Sequence, residues 1–276
     1  MRDSTGPSSI DRWTLVAVAI LAYAVANVSH EGIGHGGVCV AVGGVPRTLN
    51  AIYFDCDRTG LDTAAGHWIS AAGTLVNFLL AGVAGLALHL GSFRSARWRY
   101  FLTLTWMVNL LQATGYWLFS GVGGIGDWNA IVAELPGYGF WRAGLALAGL
   151  TGYWLVIRAS LRRLEPFLGD GDDRLGRART LTLVPYLTGG ALSIAAGALN
   201  PESPMLVLIS AAAASLGGTS AFAWMYTLLR DRQRFPPLGG VPEGVPRSMA
   251  WIAAAAVAAL VFVAVLGPGV QLSTPP

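Results

Sequence analysis

Residues 13–35 read WTLVAVAILAYAVANVSHEGIGH, an apolar run that ends in two histidines and a glutamate. A run of about 20 apolar residues is long enough to cross a bilayer as a helix. Ionisable side chains are costly in that setting, so their presence indicates a functional site. His30, Glu31 and His35 are therefore the first candidate site residues, in a chain that has four histidines in all.

The composition of the whole chain indicates a membrane protein. Of its 276 residues, 54% are hydrophobic and 12% are charged, and the mean hydropathy is +0.54. A soluble domain of this length needs far more polar surface. Six further apolar runs follow the first, at about residues 67–91, 100–120, 139–160, 180–199, 205–229 and 249–267. The expected fold is an all-α polytopic membrane protein with about seven transmembrane helices.

The arginines predict which side of the membrane each connection occupies. All 18 basic residues are arginine, and only Arg47, Arg58 and Arg142 fall outside the N-terminal segment and the second, fourth and sixth connections. By the positive-inside rule, the N-terminus is cytoplasmic and the C-terminus lies outside the cell membrane. A signal peptide cleaved near residues 24–26 is the alternative for the first run. The charge bias accounts for the high isoelectric point without nucleic acid, so the lipid bilayer is the expected partner.

The two histidines have an unusual spacing for a zinc site. The usual H-E-x-x-H motif places them four residues apart on one face of a helix. Here they are five apart, so an ideal helix would point them about 140° apart. A π-bulge would bring them together, and four nearby glycines (32, 34, 36 and 37) supply the backbone freedom for it. Alternatively, the imidazoles face interfacial water, or Glu31 pairs with His35.

A catalytic zinc ion needs a third protein ligand and an open position. The candidate is Asp127, which follows the third apolar run within a glycine-rich turn on the predicted outer side. Its alternative role is to cap a short helix, and Glu134 is a weaker ligand candidate. His67 opens the second run on the same side. It is a possible auxiliary ligand or proton shuttle, or an ordinary interfacial residue.

Three further features on the outer half leave alternatives open. Asn77 lies inside the second run, where a buried amide needs a partner, either substrate backbone or another helix. Cys39 and Cys56 flank the first outer connection and are candidates for a disulfide or, less so, for zinc ligands. Residues 48–54 have strand-like character, so the connection is a short hairpin or an ordinary loop.

Three of these segments together resemble the site-2 protease-like (M50) family of intramembrane metalloproteases. Residues 30–35, HEGIGH, are similar to the family's H-E-x-x-H helix, and their longer spacing is similar to that of dipeptidyl-peptidase III type zinc enzymes. Residues 72–77, AGTLVN, are similar to the family's Ala-Gly-Pro-x-x-Asn segment. Residues 126–128, GDW, stand where the family has its Asp-Gly ligand motif.

The resemblance implies Zn²⁺ on His30, His35 and Asp127. It implies Glu31 as general base and Asn77 as a catalytic residue that orients the substrate. The expected organisation is a metalloprotease-like catalytic core of three transmembrane helices in residues 1–137 and a four-helix support in residues 138–276. The expected function is hydrolysis of peptide bonds in membrane protein or peptide substrates. The alternatives are a non-hydrolytic transporter, a metal-binding protein or a protease-like scaffold.

Overall fold

A computed structural model describes residues 8–201 and 215–273. The described chain is mostly helical, with one small sheet. The helices are α1 (Arg12–Val28), α2 (Gly37–Ala41), α3 (Thr63–Leu90), α4 (Ala96–Gly123), α5 (Asp127–Val132), α6 (Tyr138–Leu168), α7 (Arg174–Ala198) and α8 (Met249–Leu260). Ser29–Gly36 and Val261–Val265 are π-helical, and Ser220–Ala223 and Met225–Arg230 form 3-10 helices.

Four of the described helices are long and apolar enough to cross a membrane. They are the continuous helix Arg12–Ala41 together with α3, α6 and α7, and a shorter apolar helix spans Met249–Val265. Polar residues such as Asn109 and Gln112 interrupt the apolar character of α4, although it is 28 residues long. The predicted span 205–229 lies partly outside the described residues. The fold agrees with an all-α membrane protein, and the number of seven crossings stays a prediction.

The helix that carries the two histidines lies in the middle of the molecule. Asp11 caps its start by accepting a hydrogen bond from the Thr14 backbone N–H at 2.8 Å. Beyond that cap, α1 packs against α4, α7 and α8. Its side chains are buried along most of its length, and Tyr23 donates to Thr219 Oγ1 at 2.9 Å. The central position of α1 holds the end of this helix in a fixed place.

The first outer connection forms a hairpin rather than an ordinary loop. Strands β1 (Val45–Leu49) and β2 (Phe54–Asp57) pair antiparallel. The hairpin is tied to α2 by a disulfide between Cys39 and Cys56, whose Cα atoms are 6.2 Å apart. A third strand, β3 (Val270–Gln271), pairs with β1 and gives the order β2-β1-β3. The sequence did not predict this strand, which is only two residues long.

Segments that were predicted on the same side of the membrane lie together. The hairpin and the C-terminal strand β3 share one sheet, and both were predicted outside. Ile10 bridges Val245, so the N-terminal segment contacts the connection before α8, and both were predicted inside. Which side faces the cytoplasm stays a prediction.

The connection between α6 and α7 begins and ends at a buried ion pair. Arg174 is 3% exposed and forms an ion pair with Glu165, with 2.5 Å between Arg174 Nη2 and Glu165 Oε1. The same guanidinium donates to the backbone carbonyls of Phe235 at 3.1 Å and Leu229 at 3.4 Å. Arg174 is thus a buried anchor for the chain around residues 229–235.

Candidate metal centre

The hexapeptide lies in a π-helix. Residues Ser29–Gly36 form this π-helix between α1 and α2, within one continuous helical segment. A π-helix has i→i+5 hydrogen bonds, so residues five apart return to the same face. His30 Nε2 and His35 Nε2 are 3.2 Å apart as a result. The predicted distortion of the helix is therefore confirmed.

Asp127 completes a group of three. It opens α5 directly after Gly126, whose positive φ of 87° suits glycine. Asp127 Oδ2 lies 3.6 Å from His30 Nε2 and 3.4 Å from His35 Nε2. The indole N–H of Trp128 donates to Thr74 Oγ1 at 3.0 Å and so ties α5 to α3. Thus His30, His35 and Asp127 form a group that can hold a metal ion.

The electrostatics of the Asp127 carboxyl group suit a metal ligand. Burial alone would raise its pKa, but the adjacent His35 and His30 rings lower it more, and its pKa lies below the ordinary value. The group is therefore a carboxylate at neutral pH. A carboxylate oxygen is among the ligands that bind zinc in proteins.

The ring nitrogens that point away from the group have fixed hydrogen-bond partners. His35 Nδ1 lies 2.6 Å from the backbone oxygen of Ile69, which only accepts, so Nδ1 carries the hydrogen. His30 Nδ1 lies 2.5 Å from Asn77 Oδ1. The amide nitrogen of Asn77 donates to Asn109 Oδ1 at 2.8 Å and to Gln112 Oε1 at 3.3 Å, which orients its oxygen toward His30. In the neutral form of each ring, Nε2 therefore carries a lone pair directed into the group.

The three donors fit one tetrahedral divalent ion. Zinc with bonds of about 2.0–2.1 Å places its ligand atoms about 3.3–3.4 Å apart in a tetrahedron. The three separations given above range from 3.2 to 3.6 Å. A cation bound among the three atoms would relieve the repulsion between the Asp127 carboxylate and the lone pairs of the neutral rings. Two imidazoles and one carboxylate leave a fourth position open, as in catalytic zinc sites.

A chain of hydrogen-bonded amide side chains begins at His30 Nδ1, on the side of the ring that faces away from the group. From Asn77 it continues through Gln112, whose amide nitrogen donates to Asn27 Oδ1 at 3.0 Å. Asn27 in turn donates to Ser193 Oγ at 3.3 Å, so the chain reaches α7. Asn77 is fully buried, and its oxygen is directed at a ligand ring. Of the two roles that the sequence left open, this position favours the one that ties helices together.

The close approach of the two histidine rings to α3 depends on glycine. A Cβ atom at Gly73 would lie 2.4 Å from His30 Nε2 and 2.6 Å from His35 Nε2. A Cβ atom at Gly34 would lie 2.7 Å from Gly73 Cα. Because real Cβ atoms do not approach other atoms this closely, both positions require glycine in this arrangement.

The remaining candidates lie apart from the group. His67 Nε2 pairs with Glu134 Oε2 at 3.1 Å, and neither side chain joins the three metal-binding residues. Cys39 and Cys56 are bonded to each other, so they are not zinc ligands. Among the described residues, the group that can hold a metal ion contains His30, His35 and Asp127 but neither His67 nor Glu134, so the weaker ligand candidate Glu134 is not brought to it.

A cavity of about 670 Å³ opens beside the group. Glu31, His35, Arg58 and Asp127 contribute ionisable side chains to its wall. The rest of the wall is largely aromatic and aliphatic, from Ile52, Tyr53, Phe54, Tyr116, Leu118, Phe119 and Val122. Tyr153 and Ser220 also line it, and they come from the half of the chain that was expected to be a support. Sequence reasoning missed both, because each stands in an apolar run without a motif.

Comparisons of this chain with protein-family models, with curated proteins and with solved structures found no match. The functional assignment therefore depends on the geometry of the site.

Proposed function

We propose that this protein is an intramembrane zinc metallopeptidase that hydrolyses peptide bonds of membrane-associated substrates. The observation that carries the proposal is the placement of three ligand atoms at tetrahedral spacing beside a cavity that Glu31 also lines. His30 Nε2, His35 Nε2 and Asp127 Oδ2 would hold the Zn²⁺ ion. When bound, zinc polarises the scissile carbonyl and lowers the pKa of water.

Glu31 is placed to act as general base. It directly follows a ligand in the chain, is 7% exposed and lines the cavity together with His35 and Asp127. Its carboxylate accepts the proton of the attacking water and then transfers it to the nitrogen of the leaving amine. Asn77 and the Ile69 carbonyl act as positioning groups, because they hold the two rings with their Nε2 atoms toward the cavity.

The shape of the cavity favours an extended, apolar peptide segment. A helix with its side chains is about 10–12 Å wide and keeps its carbonyls in internal hydrogen bonds, so it must unwind before attack. Strand β2 is at the edge of the sheet, and Phe54 at its start lines the cavity. An unwound segment can add to this edge through backbone hydrogen bonds while its side chains contact the aromatic wall.

The experiment measures zinc content and cleavage on the same preparations. The full chain is purified as wild type, Glu31→Gln and His35→Ala, with Glu134→Gln as a matched carboxylate control outside the group. Metal content is measured by elemental analysis. Cleavage is followed with quenched fluorescent peptides that carry an apolar segment and are reconstituted in the same vesicles.

We expect about one zinc ion per chain and cleavage in the wild type and in Glu134→Gln. Glu31→Gln keeps zinc but loses cleavage by a factor of about 10²–10⁴, the usual contribution of a general base. His35→Ala loses both. Zinc without cleavage in the wild type would indicate a metal carrier, and a wild type without stoichiometric zinc would indicate a scaffold. Either result overturns the proposal.

A further inference from the structure

We propose a second site, in which the last turns of α6 bind the phosphate of an anionic phospholipid headgroup. The site is the arginine cleft, a recess of about 620 Å³ lined by Leu155, Arg158, Ala159, Arg162 and Arg163. It contains none of the residues of the metal centre. The inference is therefore independent of the proposed hydrolysis.

The arginine cleft contains three positive charges without anionic partners. Within residues 8–201 and 215–273, neither Arg158 nor Arg162 nor Arg163 forms an ion pair with a carboxylate. Other arginines of the molecule do, such as Arg99 with Glu243 at 2.6 Å. Three guanidinium groups around one recess repel each other, and an anion among them would relieve that repulsion.

The chemistry of the cleft matches a phosphate group. A guanidinium presents its N–H groups as a planar fork, which binds two phosphate oxygens at once. Arg158 and Arg162 are four residues apart on a helix and thus share one face. Arg163 is held in place by the indole ring of Trp106, with 4.4 Å between its guanidinium carbon and the ring centre.

The position of the arginine cleft along α6 matches the level of the lipid headgroups. Helix α6 has 31 residues and is about 46 Å long at 1.5 Å per residue, whereas the hydrocarbon core is about 30 Å thick. The helix is longer than the core, and the positive-inside rule favours its arginine-rich C-terminal turns as the end in the headgroup region. Trp106 and Trp154, which lie under Arg163 and Arg234, are typical of that interface. Leu155 is 59% exposed on the apolar side of the arginines, where an acyl chain would lie.

The test compares lipids on the purified full chain by native mass spectrometry. The protein is titrated with phosphatidylglycerol, which is anionic, and separately with phosphatidylcholine, which is zwitterionic. The variant is Arg158→Gln with Arg162→Gln, whose side chains make no stacking contact that folding would lose. The control is Arg230→Gln with Arg232→Gln, which removes the same charge from exposed positions on the same predicted side.

We expect a phosphatidylglycerol adduct on the wild type and on the control, and at least a roughly tenfold weaker adduct on the cleft variant, because each arginine near the surface contributes substantially to anionic lipid binding. Size-exclusion profiles check that all three proteins are folded, and Arg162→Gln alone gives an intermediate loss. Equal loss in the cleft variant and the control would overturn the proposal. So would equal binding of phosphatidylcholine, or displacement of the lipid by millimolar inorganic phosphate, which would show a site for free phosphate.

Discussion

Two clusters of ionisable residues are buried in this molecule, and they differ in where their polar atoms point. Glu165 near the end of α6 and Arg174 at the start of α7 are 8% and 3% exposed and neutralise each other. Arg174 Nη1 and Nη2 also donate to the backbone carbonyls of Leu229 and Phe235, whereas Arg174 Nε and Glu165 Oε2 are buried without a hydrogen-bond partner among the described residues. The opposite charges of this cluster thus neutralise each other directly, as in a structural ion pair.

The cluster of His30, His35 and Asp127 is built in the opposite way. Its outer nitrogens are hydrogen-bonded to Asn77 and Ile69, while the three inner atoms face one another beside a cavity. Both outer nitrogens have hydrogen-bond partners, and the three inner atoms converge on one point. The comparison teaches that burial of charge alone does not identify a functional site. The candidate site is marked instead by three potential metal-ligand atoms that converge on one point, while each histidine ring is fixed by a hydrogen bond at its other nitrogen.

Removal of a ligand should have the largest effect on this contrast. In His35→Ala, two donors remain, and we expect zinc content to fall from about one ion per chain to near zero, because catalytic zinc needs three protein ligands. The matched control is His89→Ala near the other end of α3, which should keep its zinc. Elemental analysis of both purified proteins measures the difference. Full zinc in His35→Ala would show that the metal, if bound, lies elsewhere.

Breaking the ion pair should damage stability and leave the metal centre intact. Arg174→Met leaves the Glu165 carboxylate buried without its partner, which costs about 3–5 kcal/mol of unfolding free energy. The double variant Glu165→Leu, Arg174→Met removes both charges and should recover most of that loss. Thermal unfolding in one detergent measures stability, and zinc content is measured in parallel. A loss of zinc that matches the loss of stability would contradict the separation of the two clusters.

The sequence predicted the cluster of His30, His35 and Asp127 better than the cluster of Glu165 and Arg174, for a physical reason. The five-residue spacing of His30 and His35, with glycines between them, predicts a local helix distortion. All the residues that this prediction needs lie within one short segment of the chain. The partners of Arg174 lie at Glu165 in α6 and in the stretch 229–235. These contacts are not visible in the sequence, where an arginine that follows several aspartates resembles a residue of a solvated loop. The strand Val270–Gln271 was missed in the same way, because it pairs with a hairpin more than 200 residues away.

A methyl group added to α3 at Gly73 tests how tightly the His30 and His35 rings are packed against that helix. In Gly73→Ala, the new Cβ would lie within 2.6 Å of both Nε2 atoms, so the rings must move apart. We expect an overpacking cost of about 1–3 kcal/mol and a weaker zinc affinity. Gly82→Ala on the same helix is the control, since a Cβ there meets nothing within 4 Å. If both variants bind zinc as the wild type does, the rings are not confined as described.

The smallest expected effect concerns the hydrogen bond behind His30. Asn77→Ala removes the acceptor of the His30 Nδ1 hydrogen, and loss of such a supporting contact weakens metal affinity by about 10–100-fold. Asn77→Asp keeps an acceptor oxygen at the same position and should bind zinc more tightly than Asn77→Ala. Zinc affinity is measured by competition with a fluorescent chelator.

This last measurement also separates the two roles that the sequence left open for Asn77. A residue that orients only the substrate would leave zinc affinity unchanged in Asn77→Ala and raise KM. A residue that positions the ligand weakens zinc affinity before any substrate is added. Gln112→Ala provides a graded test, because Gln112 acts on His30 only through Asn77, at 3.3 Å from its amide nitrogen. A smaller loss of zinc affinity in Gln112→Ala than in Asn77→Ala would therefore indicate that Gln112 positions Asn77, which in turn positions the His30 ring.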